Sequence, residues 1–211
     1  MVPHIEDRSS AKNRILEYAI PLFTQSGFSR VTVEEITSAL GMSKKTFYKH
    51  FDSKEELVHQ IVLRVTGDIA LQIESIIGSG EPFVLKLHGL VSMLHMRFSR
   101  FSAAMLRDLQ IHAPGSWTYV QEFRRTKILT VWGHLIAQGQ REGYIRSTIN
   151  SRLLLLSMIG IVESVVNPQT LANESFSTDQ AIQGIVDMLF RGILTDAALR
   201  EIESLHVTQH S

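Results

Sequence analysis

Apolar residues recur along the chain at three- and four-residue steps, and no stretch sustains the two-residue alternation of a strand. In residues 10–26, Ala11, Ile15, Tyr18, Ala19, Leu22 and Phe23 fall on one face of a helix. Gly27 is placed to end it with a left-handed backbone, while Pro21 lacks an N–H and predicts a kink or a local loosening. Thr32 and Glu35 have capping-box spacing ahead of a short helix that buries Val33, Ile36 and Leu40 and stops at Gly41. Ser43 caps a third helix of about two turns, running to roughly His50. Ser53 and Glu56 repeat the capping-box spacing and open a long helix through Leu57, Ile61, Val65, Ile69, Ile73 and Ile76.

GSGEP at 78–82 is a break, with Pro82 suited to the first turn of the next helix. That helix carries Phe83, Leu87, Leu90, Val91, Leu94, Phe98 and Phe101. A short helical piece then ends near Ala113-Pro114-Gly115, and Trp117, Val120, Phe123, Ile128, Val131 and Leu135 continue the beat to about Gly139. Gly143 and YIRSTI mark a connection, and two helices follow at about 150–167 and 178–195, separated by a Pro-, Asn- and Ser-rich loop. The expected fold is all-α, with about nine helices in total.

Composition narrows the class. A chain of 211 residues with 44% hydrophobic and 20% charged residues suits a globular protein. Net charge is zero, so no global bias draws it to polyanions. There is no cysteine, which excludes disulfides and thiolate metal sites. The start, MVPHIEDRSS, lacks the layout of a secretory signal, and LLLLSMIGIVESVV at 153–166 is too short for a bilayer span and contains Glu163. A cytoplasmic protein with no membrane partner is expected.

Local charge is another matter. GMSKKTFYKHFDSKEELV, residues 41–58, holds Lys44, Lys45, Lys49 and His50 before its first acid, Asp52. Three short helices with a glycine at the tight joint describe a helix-turn-helix. Met42, Phe47 and Phe51 supply the buried side of its third helix, and Ser43, Lys44, Lys45, Thr46, Tyr48, Lys49 and His50 are almost all hydrogen-bond donors. Duplex DNA offers acceptors, on phosphates and on purine N7 and O6. Acids would be repelled there; Glu55 and Glu56 come only in the first turn of the following helix, where carboxylates are favourable.

Residues 13–58 resemble the DNA-binding domain of the TetR family of transcriptional regulators. The likeness is carried by Ala19, Phe23 and Gly27-Phe28, by Thr32-Val33-Glu34-Glu35-Ile36, and by Gly41-Met42-Ser43. Thr46-Phe47-Tyr48, His50-Phe51 and Ser53-Lys54-Glu55-Glu56-Leu57 complete it. The resemblance implies that Thr32 hydrogen-bonds a phosphate. It implies that Ser43, Lys44, Lys45, Thr46 and Tyr48 face base edges or nearby backbone, and that Tyr48, Lys49, His50 and Lys54 anchor phosphates. Lys45 departs from the small residue common at its position, adding a long cation. The implied function is a repressor that binds a pseudo-palindromic double-stranded DNA operator as a homodimer and is released by a small apolar or amphipathic effector. The implied division is a helix-turn-helix domain at 1–53, ordered from about residue 9, an effector-binding and dimerisation domain at 54–196, and a polar C-terminal tail at 197–211.

One recognition helix specifies too few base pairs for selective binding, so a two-fold dimer is expected. The small residues Ser157, Gly160 and Ser164 lie on one stripe of a late helix, and Ala181, Gly184, Met188 and Arg191 form a comparable stripe in the last helix. Regulators of the resembling family dimerise through their last helices, which makes these stripes the candidate interface. Large, adaptable side chains in the middle of the chain are candidates for an effector pocket: Met93, Phe98, Phe101, Met105, Trp117, Phe123 and Met158, with Met96 and Trp132 of the same kind. Arg97 and Arg124, and near them His95 and Glu163, could orient a ligand.

Enzymatic chemistry finds no footing. His88 and His95 lie two helical turns apart, roughly 10 Å, too far to share a metal. HExxH, GxSxG and a phosphate-cradling glycine loop are all missing. No metal or cofactor is expected. The competing expectation is a ligand-binding or protein-interaction module with a non-functional helix-turn-helix, against which stand the intact donors of residues 43–50.

Overall fold

The computed structural model describes residues 10–98 and 100–200 of the chain. Among them, eleven α-helices follow one another: α1 (Ala11–Ser26), α2 (Val33–Ala39), α3 (Lys44–Tyr48), α4 (Lys54–Ile77), α5 (Phe83–Phe98) and α6 (Ala103–His112) form the first part. Then come α7 (Pro114–Lys127), a π-helical stretch (Ile128–Trp132), α8 (Gly133–Arg141), α9 (Ser151–Val165), α10 (Pro168–Asn173) and α11 (Thr178–Ile193). The all-α expectation holds, with more helices than the nine anticipated. Among the described residues no helix is long and apolar enough to cross a membrane.

Helix starts follow local side-chain chemistry. Ser10, Thr32, Ser43, Ser53, Ser102, Asn150, Asn167 and Ser177 each accept the backbone N–H three residues on. Each such cap contributes about 1 kcal/mol by satisfying a donor the helix leaves over. The Thr32–Glu35 box closes in both directions, with Thr32 N–H donating to Glu35 Oε2 at 2.7 Å. At Ser53 only one direction forms; Glu56 instead accepts from the Gln60 amide at 2.8 Å.

Several boundaries differ from the sequence expectation. Pro82 is not in the first turn of α5 but ahead of it, its carbonyl accepting Lys86 N–H at 3.1 Å. α5 stops at Phe98, so Phe101 lies beyond it, in the turn where its N–H donates to the Phe98 carbonyl. The loop expected between the last two helices contains α10, because Asn167 caps it and Pro168 occupies the first helical position, where a missing N–H costs nothing. Pro21 sits inside α1, which remains helical on both sides of it. Gly27 does have positive φ (79°), but its ψ of 173° is extended rather than left-handed helical.

Three hydrophobic clusters hold the helices. The first joins Ile15, Phe23, Ile36, Phe47 and Phe51 to Leu57 and Ile61 of α4 and to Met105 and Leu109 of α6, so packing runs across the expected division after residue 53. The second packs Phe83, Leu90, Trp132, Ile136, Leu155 and Met158 around the lower half of α4. The third gathers Leu106, Val166, Leu171, Ala181, Ile182 and Ile185. Ala181 is therefore core, not part of an exposed stripe. Residues 196–200 form a further helical turn in which Ala198 is fully buried, so a polar tail does not begin at 197. The rest of that tail, 201–211, and the expected start of order near residue 9 lie outside the described residues.

Candidate nucleic-acid interface and ligand cavity

Between α2 and α3 the chain reverses in a Schellman turn. Gly41 has φ 64°; its N–H donates to Ser38 O at 3.1 Å, and Met42 N–H donates to Thr37 O at 2.8 Å. Arg14 of α1 donates to the Leu40 carbonyl at 3.1 Å. The joint aims α3. Phe47 on its inner side is 0% exposed and meets the Phe51 ring at a tilt, 5.4 Å between centroids, so truncating it should cost about 3–5 kcal/mol. α3 itself is five residues, and the turn continues through His50 with Phe51 N–H still bonded to Phe47 O.

With Phe47 inward, the remaining positions point out. Ser43, Lys44, Lys45, Tyr48, Lys49 and His50 are exposed, and Thr46 is half-buried. Tyr48 is 53% exposed, its ring set edge-on against Phe47 at 5.3 Å, which fixes the direction of its hydroxyl. The Thr32 hydroxyl is engaged with Glu35: its oxygen accepts Glu35 N–H at 3.1 Å, and the hydroxyl helps to hold the Glu35 carboxyl below its usual pKa. Lys44 forms an ion pair with Glu34 at 2.7 Å, both partners exposed, an interaction worth about 1 kcal/mol or less and readily exchanged for a phosphate.

Lys54 behaves differently. Its Nζ donates to three carbonyls of the α1–α2 loop: Phe28 O (3.1 Å), Ser29 O (3.3 Å) and Val31 O (3.0 Å). An ammonium has three donors, and all are used. The expectation that Lys54 anchors a phosphate is therefore corrected to a loop clamp. The same loop is held from α6, where Asp108 Oδ2 accepts Phe28 N–H and Ser29 N–H, each at 2.7 Å.

Behind this head lie two apolar cavities. The larger, about 110 Å³, is lined by Ile69 and Ile73 of α4, Leu90, Leu94 and Phe98 of α5, Phe123, Arg124 and Lys127 of α7, the π-helical stretch, Met158 and Val162 of α9, and Ile182 to Phe190 of α11. The smaller, about 60 Å³, is bounded by Thr24 of α1, Ile61, Val62, Val65 and Thr66 of α4, Phe101, and Met105 and Leu106 of α6. Ile69, Phe98, Phe123 and Arg124 line both. Arg124 as a residue is partly exposed, yet its guanidinium is set deep enough that burial lowers its pKa to about 10, still protonated at neutral pH.

Comparison with known proteins agrees with this arrangement. The sequence profile of bacterial regulatory proteins, tetR family, matches residues 15–61, the three-helix head and the start of α4. The chain is 29% identical to the uncharacterized HTH-type transcriptional regulator YvaF of Bacillus subtilis (strain 168), over 87% of this chain and 95% of that one. It is 29% identical to the HTH-type transcriptional repressor KstR2 of Rhodococcus jostii (strain RHA1), over 69% of this chain and 73% of that one. The fold matches a putative transcriptional regulator from Saccharomonospora viridis, solved in complex with choline, with a TM-score of 0.67 and 21% identity, covering 88% of this chain and 98% of that one. This chain belongs to the TetR family. It is a DNA-binding transcriptional regulator and not an enzyme.

In this TetR-family regulator the mid-chain candidates divide. Phe98, Phe123, Arg124 and Met158 line the larger cavity, and Phe101 and Met105 the smaller. Met93, Arg97 and Trp117 line neither. Met93 packs into the second core cluster, and Arg97 Nε donates to Gln72 Oε1 at 3.1 Å. Trp117 packs between the first and third clusters and offers its ring to Arg124 at 5.9 Å. Of the polar candidates, His95 faces Asp179 at 3.0 Å and Glu163 pairs with Arg125 at 3.8 Å, both away from the cavities. Sequence reasoning missed the α11 wall. Ile182, Ile185, Val186, Leu189 and Phe190 follow the helical beat, on the side of α11 away from the Gly184, Met188 and Arg191 stripe.

That opposite side is open. Ser157, Gly160 and Ser164 on α9 and Gly184, Met188 and Arg191 on α11 are all exposed. Around them Leu153 is 66% and Met188 61% exposed, the same degree as Leu71 and Ile111 on other helices.

Proposed function

We propose that this regulator is a homodimeric repressor that reads a pseudo-palindromic operator with α3 and leaves it when a small effector fills the cavity behind the head. The observation that carries the reading is the acid-free, donor-bearing outer face of residues 43–50, held outward by the buried rings of Phe47 and Phe51. In this reading Thr32, Ser43, Tyr48, Lys49 and His50 hold phosphates, and Lys44, Lys45 and Thr46 reach base edges. Residues up to 53 form the reading head, and 54–196 carry effector and dimer contacts.

Support for a dimer comes from the exposed apolar and small residues shared by α9 and α11, which suit close approach of two helix pairs across a two-fold axis. Support for repression comes from the KstR2 relative, which is named a repressor, and from the fact that a dimer seated on promoter DNA excludes polymerase by occupancy. Support for an effector comes from the choline complex of the structural relative and from the cavities themselves. At about 110 Å³ the larger cavity is below the ~300–1,000 Å³ of drug-sized sites, so an effector must widen it and push on α4 and α7. The cytoplasm is the compartment this work requires.

The test is selection of bound duplexes from a random pool, followed by competition against scrambled DNA at physiological salt. A recovered inverted repeat bound by two chains supports the reading; failure to prefer any duplex over its scrambled form would falsify it.

A further inference from the structure

We infer that the effector is a carboxylate with an apolar body, held side-on by the Nε and Nη2 edge of Arg124. This rests on the effector reading above and names its ligand class.

The cavity wall is apolar except for two cations. Lys127 is paired with Glu74 at 3.4 Å. Arg124 has no carboxylate within ion-pair distance among the described residues. Its Nη1 makes both of its hydrogen bonds, to Gln121 Oε1 at 3.3 Å and to Val166 O at 3.2 Å, and no described residue accepts from Nε or Nη2. Those two nitrogens form one edge of the planar guanidinium, spaced to match the oxygens of a carboxylate. A buried cation without a counter-ion is costly, and a ligand that supplies one recovers that cost on binding. No acid lines either cavity, so a cationic headgroup meets the uncompensated charge of Arg124 and finds no carboxylate in the wall. The apolar body then lies against Phe98, Phe123, Trp132 and Met158.

The test uses the full chain and a matched series: hexanoate, 1-hexanol and hexylamine, with their octyl counterparts, titrated by calorimetry. The expected result is that a carboxylate binds about tenfold or more tightly than the alcohol of equal length, with the amine weakest. Arg124→Gln should erase that margin while leaving alcohol binding unchanged. Equal affinities across the series, tighter amine binding, no binding by either carboxylate, or a margin that survives Arg124→Gln overturns the inference. Should Arg124→Gln fail to fold, Arg124→Lys decides, a reduced margin supporting the inference and an undiminished one overturning it. Operator affinity followed in the same titrations separates the two levels. Arg124-dependent carboxylate binding without any change at the operator keeps the ligand class and removes its effector role. Release by alcohol or amine alone keeps the effector role and removes the ligand class.

Discussion

Asp108 on α6 and Phe28 in the α1–α2 loop, 80 residues apart in the chain, meet through a carboxylate oxygen and a backbone N–H at 2.7 Å. The same oxygen accepts Ser29 N–H, and a Cβ added to Gly27 would stand 2.5 Å from it. Gly27 is thus needed twice over, for its φ of 79° and for the approach of Asp108. Asp108→Ala leaves two N–H groups without their acceptor and should cost about 1–3 kcal/mol in urea unfolding. Gly27→Ala should cost a similar ~1–3 kcal/mol from backbone strain alone, plus the clash. In the Gly27→Ala/Asp108→Ala double variant the clash is gone, so the total should fall short of the sum; strict additivity would contradict the geometry.

Lys54 separates a clamp from a DNA contact. Lys54→Met should lower the unfolding midpoint of the chain, since three loop carbonyls lose their donor. The salt dependence of operator affinity should keep its slope. A slope reduced by about one, with stability unchanged, would return Lys54 to the phosphate anchors.

Lys45 on α3 and Lys49 just after it, both exposed, should part company on DNA. Lys49→Ala is expected to weaken operator and random duplex alike and to lower the salt slope by about one. Lys45→Ala is expected to cost about 1–3 kcal/mol on the operator and to relax preference at one base position. Indistinguishable losses on both kinds of DNA would undo the assignment.

The α2 cap carries a pH signature. The Thr32 backbone N–H, then its hydroxyl, and beyond them the charge of Lys54 hold the Glu35 carboxyl below its usual value of 4.5. A carboxyl lowered on folding stabilises the protein above its unfolded pKa, and that contribution is lost as pH falls through the folded one. Wild type should therefore exceed Glu35→Gln in stability at neutral pH, and the gap should close on acidification below 4.5. A gap that stays constant in urea melts from pH 7 down to 3 would count against the cap's role.

On α9 and α11, Leu153→Asp and Met188→Asp alter side chains that are 66% and 61% exposed, so each subunit should keep its helical content. Sedimentation should show a shift from two chains to one at micromolar concentration, with operator affinity falling alongside. An unchanged sedimentation coefficient for both variants would place the dimer surface elsewhere.

What could be read in advance was what is local. Caps at Thr32, Ser43 and Ser53 depend on residues three positions away, and Gly41 on the turn it terminates, so spacing was enough. Pro168 misled because a proline after Asn167 reads as a breaker or as a helix start, and only packing of Leu171 on Leu106 decides. Met93, Arg97 and Trp117 share composition with the true cavity lining; which way each faces is set by helix rotation against neighbours far off in the chain. Lys54 looked like one more cation of the DNA surface because its three acceptors lie 23 to 26 residues upstream.

In the proposed effector mechanism, the shared wall of Ile69, Phe98, Phe123 and Arg124 would set the length of the signalling route. On its far side stands Thr24, part of α1 itself, whose carbonyl also receives Ser102 N–H at 2.9 Å. A guest pressing on that partition would act towards α1 across the smaller cavity that both line. No long relay is required, and bulkier residues in the partition would jam it.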